Sequence, residues 1–184
     1  TSKHKSEVGV LKANHLPINW KSPSIDHFCV IMNVNNLIIR KGTQQDVPSL
    51  LSLIKELAIY EKAENEVIVT EEILIRDGFG EHPLYQLAVA EYEGSVLGIA
   101  LYYFAYSTWK GRYLYLEDFV VKEEMRGKGI GKPLFQFIVN IAKEEGVKRM
   151  GWQVLDWNEP AIKFYETYGA DLSSEWLNGR LYFD

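Results

Sequence analysis

Near the middle of the chain, Met125–Gly131 (MRGKGIG) brings three glycines and two basic residues into seven positions. Glycines let backbone amides come close to a bound group, and the N-terminus of a following helix favours negative charge. Arg126, Lys128 and Lys132 place positive charge around Gly127, Gly129, Ile130 and Gly131. The pattern suits an anion, but not every anion. A triphosphate loop ends in Gly-Lys-Ser/Thr, whose hydroxyl serves magnesium, and here Pro133 follows Gly131-Lys132. The dinucleotide fingerprint G-x-G-x-x-G fails as well: the third glycine comes one position early, and the motif stands late in the chain. A pyrophosphate held by amides, with no metal, fits better. The alternative is a plain tight turn between strand and helix. Just upstream, Glu117 and Asp118 interrupt the apolar run YLEDFVV (Tyr115–Val121). Burying a carboxylate without a partner is costly, so two acids in one strand point to work. Neighbours on a strand face opposite sides, which gives the two acids separate tasks.

A frame must hold these residues, and the elements alternate. Asn36–Arg40 reads as a short strand. Thr43–Tyr60 has Val47, Leu50, Leu51, Ile54, Leu57 and Ala58 at helical spacing, with Thr43 and Asp46 as a capping pair and Pro48 near the first turn. A shorter helix falls within Thr70–Asp77. Tyr85–Gly94 and Ser95–Ser107 read as a hairpin turning at Glu93–Gly94. Tyr113–Lys122 is the next strand, and the glycine loop leads into a helix over Lys132–Glu145 with Leu134, Phe135, Ile138, Ile141 and Ala142 inward. RMGWQVLD (Arg149–Asp156) is a further strand. Glu159–Gly169 is a helix with Pro160 in its first turn and Gly169 past its end. A last strand is expected near Leu181. This order gives an α+β or α/β fold, a mixed sheet with helices on its faces. Residues 1–35 show no helical or strand period and read as a peripheral extension, with the domain over 36–184.

Composition narrows the class. The net charge of −5 argues against a nucleic-acid binder and is compatible with a cationic ligand. A single cysteine, Cys29, rules out an internal disulfide, so a reducing cytoplasm is the expected home. No apolar run approaches the roughly 20 residues of a membrane span. His4, His15, His27 and Cys29 match no common zinc spacing, and no metal is expected.

RGKGIG matches the R/Q-x-x-G-x-G/A signature of the GNAT superfamily of N-acetyltransferases. The segments LIKELAIYEKAENEV, DGFGEHPLY, YLEDFVV, WNEPAIKFYETYGA and LSSEW resemble its diamine, spermidine/spermine-type members from Asn36 onward. That resemblance implies a mostly antiparallel twisted sheet, splayed at the coenzyme site and flanked by helices. It implies direct acetyl transfer from acetyl-CoA to a primary amine of a small polyamine-like or diamine-like molecule, in a ternary complex within a homodimer. By resemblance Tyr165 is the proton donor to the thiolate, a role a phenol suits because it stays protonated at neutral pH. Its alternative is simple packing. Glu117 is assigned to the amine, as a base acting through water or as an anchor. Asp118 belongs to an acidic rim or holds the strand end. The backbone of Phe119, Val120 and Val121 meets the pantetheine arm, and Asn158, Pro160 and Ala161 make the second coenzyme contact, with Asn158 also able to cap its helix. Tyr60 and Glu61 line the amine channel unless they are a solvated helix end, and Trp152 walls a methylene chain. Two departures stand out. Ser107 and Thr108 replace an Asp-Pro pair, and Gly151 replaces a larger polar residue. The alternative acceptors are thialysine-like amino acids or protein amines. A coenzyme-binding module without turnover is the alternative of another class.

Overall fold

The structure is a computed structural model and describes residues 36–175 and 177–182. The expectations for residues 1–35, including His4, His15, His27 and Cys29, lie outside the described residues.

Five strands form one sheet in the order β1-β2-β3-β4-β5. They are β1 (Leu37–Lys41), β2 (Gln86–Tyr92), β3 (Ser95–Ser107), β4 (Gly111–Val121) and β5 (Met150–Gly151). Neighbours pair antiparallel except β4 and β5, which run parallel. The helices are α1 (Val47–Tyr60), α2 (Glu71–Phe79), α3 (Gly131–Glu144) and α4 (Glu159–Glu166). Among the described residues no helix is long and apolar enough to cross a membrane.

Alternation along the strands builds two apolar layers. Leu87, Val89, Ile99, Leu101 and Val120 turn to one face and pack with Val47, Leu50 and Leu53 of α1 and Leu74 of α2. Ala88, Ala90, Ala100, Leu114 and Leu116 turn to the other and pack with Leu134, Phe135 and Ile138 of α3 and Tyr165 of α4. The β2–β3 turn falls at Glu93 and Gly94, both left-handed with φ of 49° and 78°, the geometry a two-residue hairpin needs. The helix expected from Thr43 begins instead at Val47, after a 3-10 turn at Gln44–Asp46. Asp46 holds that turn. It accepts from the Thr43 amide at 2.7 Å and from both terminal nitrogens of Arg40 at 2.8 Å. The Arg40 bonds, foremost, hold its carboxyl down at about 2.

Two expected strands come out differently. RMGWQVLD supplies only Met150–Gly151, because β5 meets β4 solely at Leu114↔Met150 and Tyr115↔Gly151 and then diverges. The strand expected near Leu181 is absent among residues 177–182, where Leu177, Leu181 and Tyr182 stand exposed. An extended segment becomes a strand only when a neighbour takes its amides and carbonyls, and none does so here.

Phe135 is the hub of the α3 layer. Its ring lies 4.7 Å from Tyr168, 5.4 Å from Phe164, 5.5 Å from Phe119 and Tyr165, and 5.7 Å from Trp152. Phe135→Ala is therefore expected to cost about 3–5 kcal/mol in urea unfolding. A loss below about 1 kcal/mol would show that the neighbouring rings stand without it.

Candidate active site

β4 carries the acids. It pairs with β3 from Ser107↔Gly111 to Gly98↔Val121 with one irregularity: Tyr102 faces Leu116 while Leu101 faces Asp118. Glu117 is thus the extra residue of a β-bulge. The bulge moves the alternation by one. Leu114 and Leu116 pack toward α3 before it, and Phe119 and Val121 do so after it. Asp118, opposite Leu101, falls on the α1 side. Glu117 is there too, accepting the Tyr103 hydroxyl at 3.1 Å. The expectation of opposite faces therefore fails, because it assumed an unbroken ladder: the two acids share a face.

Glu61 joins them from the residue after α1. Burial, then the charges of Glu117 and Glu61, push the Asp118 carboxyl up to about 6. Burial raises Glu61 as well. The same face has a tyrosine floor. Tyr103 and Tyr115 lie 5.3 Å apart, and Tyr113 meets Tyr115 edge-on at 6.5 Å. Burial, reinforced by Glu117, pushes the Tyr103 phenol up to about 12 and raises Tyr115, so both stay neutral. Carboxyl groups gathered beside aromatic rings attract an ammonium group through charge and ring quadrupole together. Tyr103 and Tyr115 were not singled out from sequence. The signal was present in the repeated YY and YLY runs, but pairing them needs the register.

Ser107, where an acid was expected, sits at the tip of the β3–β4 hairpin. Its hydroxyl accepts from the Trp109 and Lys110 amides at 3.3 Å. Its partner Gly111 is six residues from Glu117, about 20 Å along the strand at about 3.3 Å per residue. A carboxylate there would stand well away from the acids of β4.

Past Tyr115, β4 has no strand on its β5 side among the described residues, so Leu116–Val121 present an open edge there, ahead of the glycine loop. Gly127 and Gly129 have φ of 73° and 86°, and a Cβ at either would meet nothing within 4 Å. Backbone angle, not crowding, is what calls for glycine there. No side-chain hydrogen bond from the N-cap residue covers the N-terminus of α3, and the first-turn amides of a helix are the groups an anion can take up. This cradle and the open edge fit the pyrophosphate and the amide-rich arm of coenzyme A. Among the described residues no cluster of His, Cys, Asp or Glu is arranged to hold a metal.

The basic residues of the loop divide. Arg126 turns inward: its Nε donates to the Val121 carbonyl at 3.1 Å and its guanidinium lies 4.8 Å over the Tyr60 ring and 3.9 Å from Glu56. Glu56 also accepts the Glu123 amide at 2.6 Å. Arg126 and Glu56 thereby fasten the loop to α1. Lys128 reaches back to the Met125 sulfur at 3.8 Å, and the Lys132 carbonyl accepts the Tyr168 hydroxyl at 3.2 Å. Ile130 is buried in the α3 layer.

α4 closes the opposite side. Asn158 caps it, accepting the Ala161 amide at 3.4 Å, and also accepts the Tyr60 hydroxyl at 3.1 Å; Pro160 lies in the first turn. Tyr60 thus meets both Asn158 and Arg126. Tyr165 is 6% exposed, and burial pushes its phenol up to about 12. Among the described residues no hydrogen bond engages its hydroxyl, which leaves that proton available to an incoming group. Trp152 packs on Tyr165 at 4.8 Å and on Phe135. It lies in the α3 layer, across the sheet from the acids, and its buried indole N–H has no partner among the described residues.

Residues 49–170 match the acetyltransferase (GNAT) family. Over 142 residues the chain is 44% identical to the thialysine N-epsilon-acetyltransferase of Bos taurus, covering 73% of this chain and 84% of that protein. It is 39% identical over 145 residues to the spermidine/spermine N(1)-acetyltransferase-like protein 1 of Homo sapiens, covering 74% of this chain and 21% of that one. Among solved structures, an aminoglycoside acetyltransferase from an uncultured soil metagenomic sample superposes with a TM-score of 0.68 at 20% identity, over 82% of this chain and 98% of that chain; at that identity the likeness is one of fold. The family match over most of the domain, together with a sheet of the fold that such enzymes share, settles the family: the chain belongs to the GNAT family of acetyltransferases.

Proposed function

We propose that this chain transfers the acetyl group of acetyl-CoA to the terminal primary amine of a short cationic chain, with a thialysine-type amino acid as the favoured acceptor. A polyamine-type amine is the second reading. The observation that carries an amine acceptor is the bulge of β4, which sets Glu117 and Asp118 on one face beside Glu61. The preference for the thialysine type rests on the 44% identity across most of both chains.

Acetyl-CoA supplies the activated acyl group, and the chain's residues supply the rest. The loop from Arg126 to Lys132 and the start of α3 hold the pyrophosphate. The backbone of Phe119, Val120 and Val121 orients the pantetheine arm, with Asn158, Pro160 and Ala161 on its far side. Asp118 and Glu61 hold the ammonium. Glu117 takes its proton, directly or through water, since an alkyl ammonium titrates near about 10 and is almost wholly charged at neutral pH. Tyr165 keeps a proton at its hydroxyl for the departing sulfur. Holding both substrates together removes much of the entropic barrier. The catalytic unit is assigned to residues 36–184 within a homodimer, so a chain begun at residue 36 should keep full turnover and sediment as a dimer.

Acetyl-CoA with a panel of thialysine, lysine, spermidine, diamines and peptides, read by thiol release, tests the assignment; silence across the panel would sink it. Tyr165→Phe should lower kcat about a hundredfold or more while leaving acetyl-CoA affinity nearly intact. An unchanged kcat removes Tyr165 from the mechanism.

Asp118 makes two pH predictions. Its folded value, about 6, lies above its ordinary 3.8. The folded state therefore holds the proton longer, and stability falls as pH rises from about 4 to about 6. Asp118→Asn should accordingly raise the melting temperature relative to the parent at pH 7 but not at pH 4. With substrate the sign reverses. An ammonium prefers the ionised carboxylate, so the parent's amine KM should fall as pH climbs through about 6, and Asp118→Asn should flatten that profile. Parallel profiles for the two proteins would contradict the assignment.

A further inference from the structure

The tyrosine floor runs on from the acids to the mouth of β5, and one cation waits at its far end. Arg149 lies just before β5, with its guanidinium 4.1 Å over the ring of Tyr113. Among the described residues no carboxylate pairs with it. Arg112, which also lies over a ring (Phe104, 3.6 Å), is by contrast paired with Glu145 at 2.8 Å, and Arg40 is tied to Asp46 and Glu91. A guanidinium over a ring face is held in place by that ring and keeps N–H groups for a planar anion, which it grips with two parallel bonds.

Gly151 leaves the space between Arg149 and the acids open. It faces the same floor: a Cβ built on it would lie 3.8 Å from the Tyr113 ring and 3.9 Å from the Tyr115 ring, with nothing else within 4 Å. Any larger side chain at this position would cover those rings without clashing with the backbone. As glycine, it leaves the side of the Tyr115 ring that faces it uncovered, between an arginine on one side and Glu117 on the other.

The order along β4 is then Arg149 over Tyr113, the half-buried ring of Tyr115 beside Gly151, acid at Glu117. Glu117 is four residue steps from Tyr113, about 13 Å at about 3.3 Å per residue. That interval, with a guanidinium at one end and a carboxylate at the other, is of the order of a lysine-length acceptor with a polar contact at each end. The donor approaches from the other end, along Phe119–Val121, so the acceptor's free end is directed toward Tyr113.

We propose that Arg149 receives the carboxylate, and the uncovered side of the Tyr115 ring beside Gly151 the α-ammonium, of an amino-acid acceptor whose distal amine is acetylated at Glu117. This pairing, which rests on the proposed acetyl transfer to an amine, makes Arg149 the residue that separates amino-acid amines from polyamines. A polyamine has no anion to offer and brings a further cation toward a guanidinium.

A matched pair of acceptors tests it: thialysine and bis(2-aminoethyl) sulfide, the same chain without the carboxyl group. With the full-length protein, the parent should show the lower KM for thialysine. Arg149→Met keeps packing on Tyr113 and removes the charge. It should raise the thialysine KM about tenfold or more with kcat within about twofold, and leave the KM of the sulfide diamine unchanged or lower. Arg149→Lys should recover part of the loss. Gly151→Val, which covers the floor, should raise KM for both. Melting curves matching the parent confirm that the exposed substitution leaves the fold intact. An equal effect of Arg149→Met on the two amines, or none on either, overturns the proposal. So does a parent enzyme that prefers the diamine, while leaving acetyl transfer to an amine standing. A parent that acetylates neither compound nor any amine of the wider panel fails at the function itself, before any variant is made.

Discussion

One extra residue in β4 arranges this site. Without the bulge at Glu117, the alternation that buries Leu114 and Leu116 against α3 would carry Asp118 into the same apolar layer. The fold would then have to neutralise a buried carboxylate or abandon it. With the bulge, Phe119 and Val121 take the inward places and the acids emerge together on the other side. The same strand can therefore serve two chemistries: an apolar, amide-lined edge toward the donor and a charged face toward the acceptor. A bulge also strengthens local twist, and β4 loses β5 as a neighbour from Leu116 onward.

The two halves of the site are joined by polar and cationic contacts on the α1 side and by rings on the α3 side. Arg126, Glu56 and Tyr60 tie the glycine loop to α1, and Tyr60 continues to Asn158 at the start of α4. Beneath them Phe135 touches Phe119 of the donor strand and Tyr165 of α4. The exposed parts of these contacts add little stability individually. Their value is geometric, since they hold three separate elements around one cleft.

What was legible in the sequence is what depends on local chain geometry. Left-handed glycines, a proline in a first turn and an asparagine cap act within a few residues. The loop at Gly127–Gly131 and the start of α4 were read from them. The helix and hairpin periods were equally plain. What was not legible depends on register. Glu117 and Asp118 look alternately faced until Leu101 is set opposite Asp118 and Tyr102 opposite Leu116. Tyr103 and Tyr115 are ordinary strand tyrosines until that pairing brings them together. Trp152 looked like a channel wall, but its parity puts it with Phe135. RMGWQVLD has the composition of a full strand, yet it is a strand only where β4 remains beside it. That Arg126 also ties its loop to α1, through Val121, Tyr60 and Glu56, has no local signal in the chain.

The open edge of β4 has a bearing on handling as well as on chemistry. A row of strand amides and carbonyls without a neighbour is a template for another chain's backbone. Evolution usually hides such an edge with a proline, a charge or a covering loop, but on the reading proposed above the same groups serve a ligand's amides. On that reading a bound coenzyme would mask the edge and, by binding only the folded form, would hold the equilibrium toward it. The supply of donor would then act on this protein twice, once as a reactant and once as the cap that keeps one molecule's sheet from growing into the next.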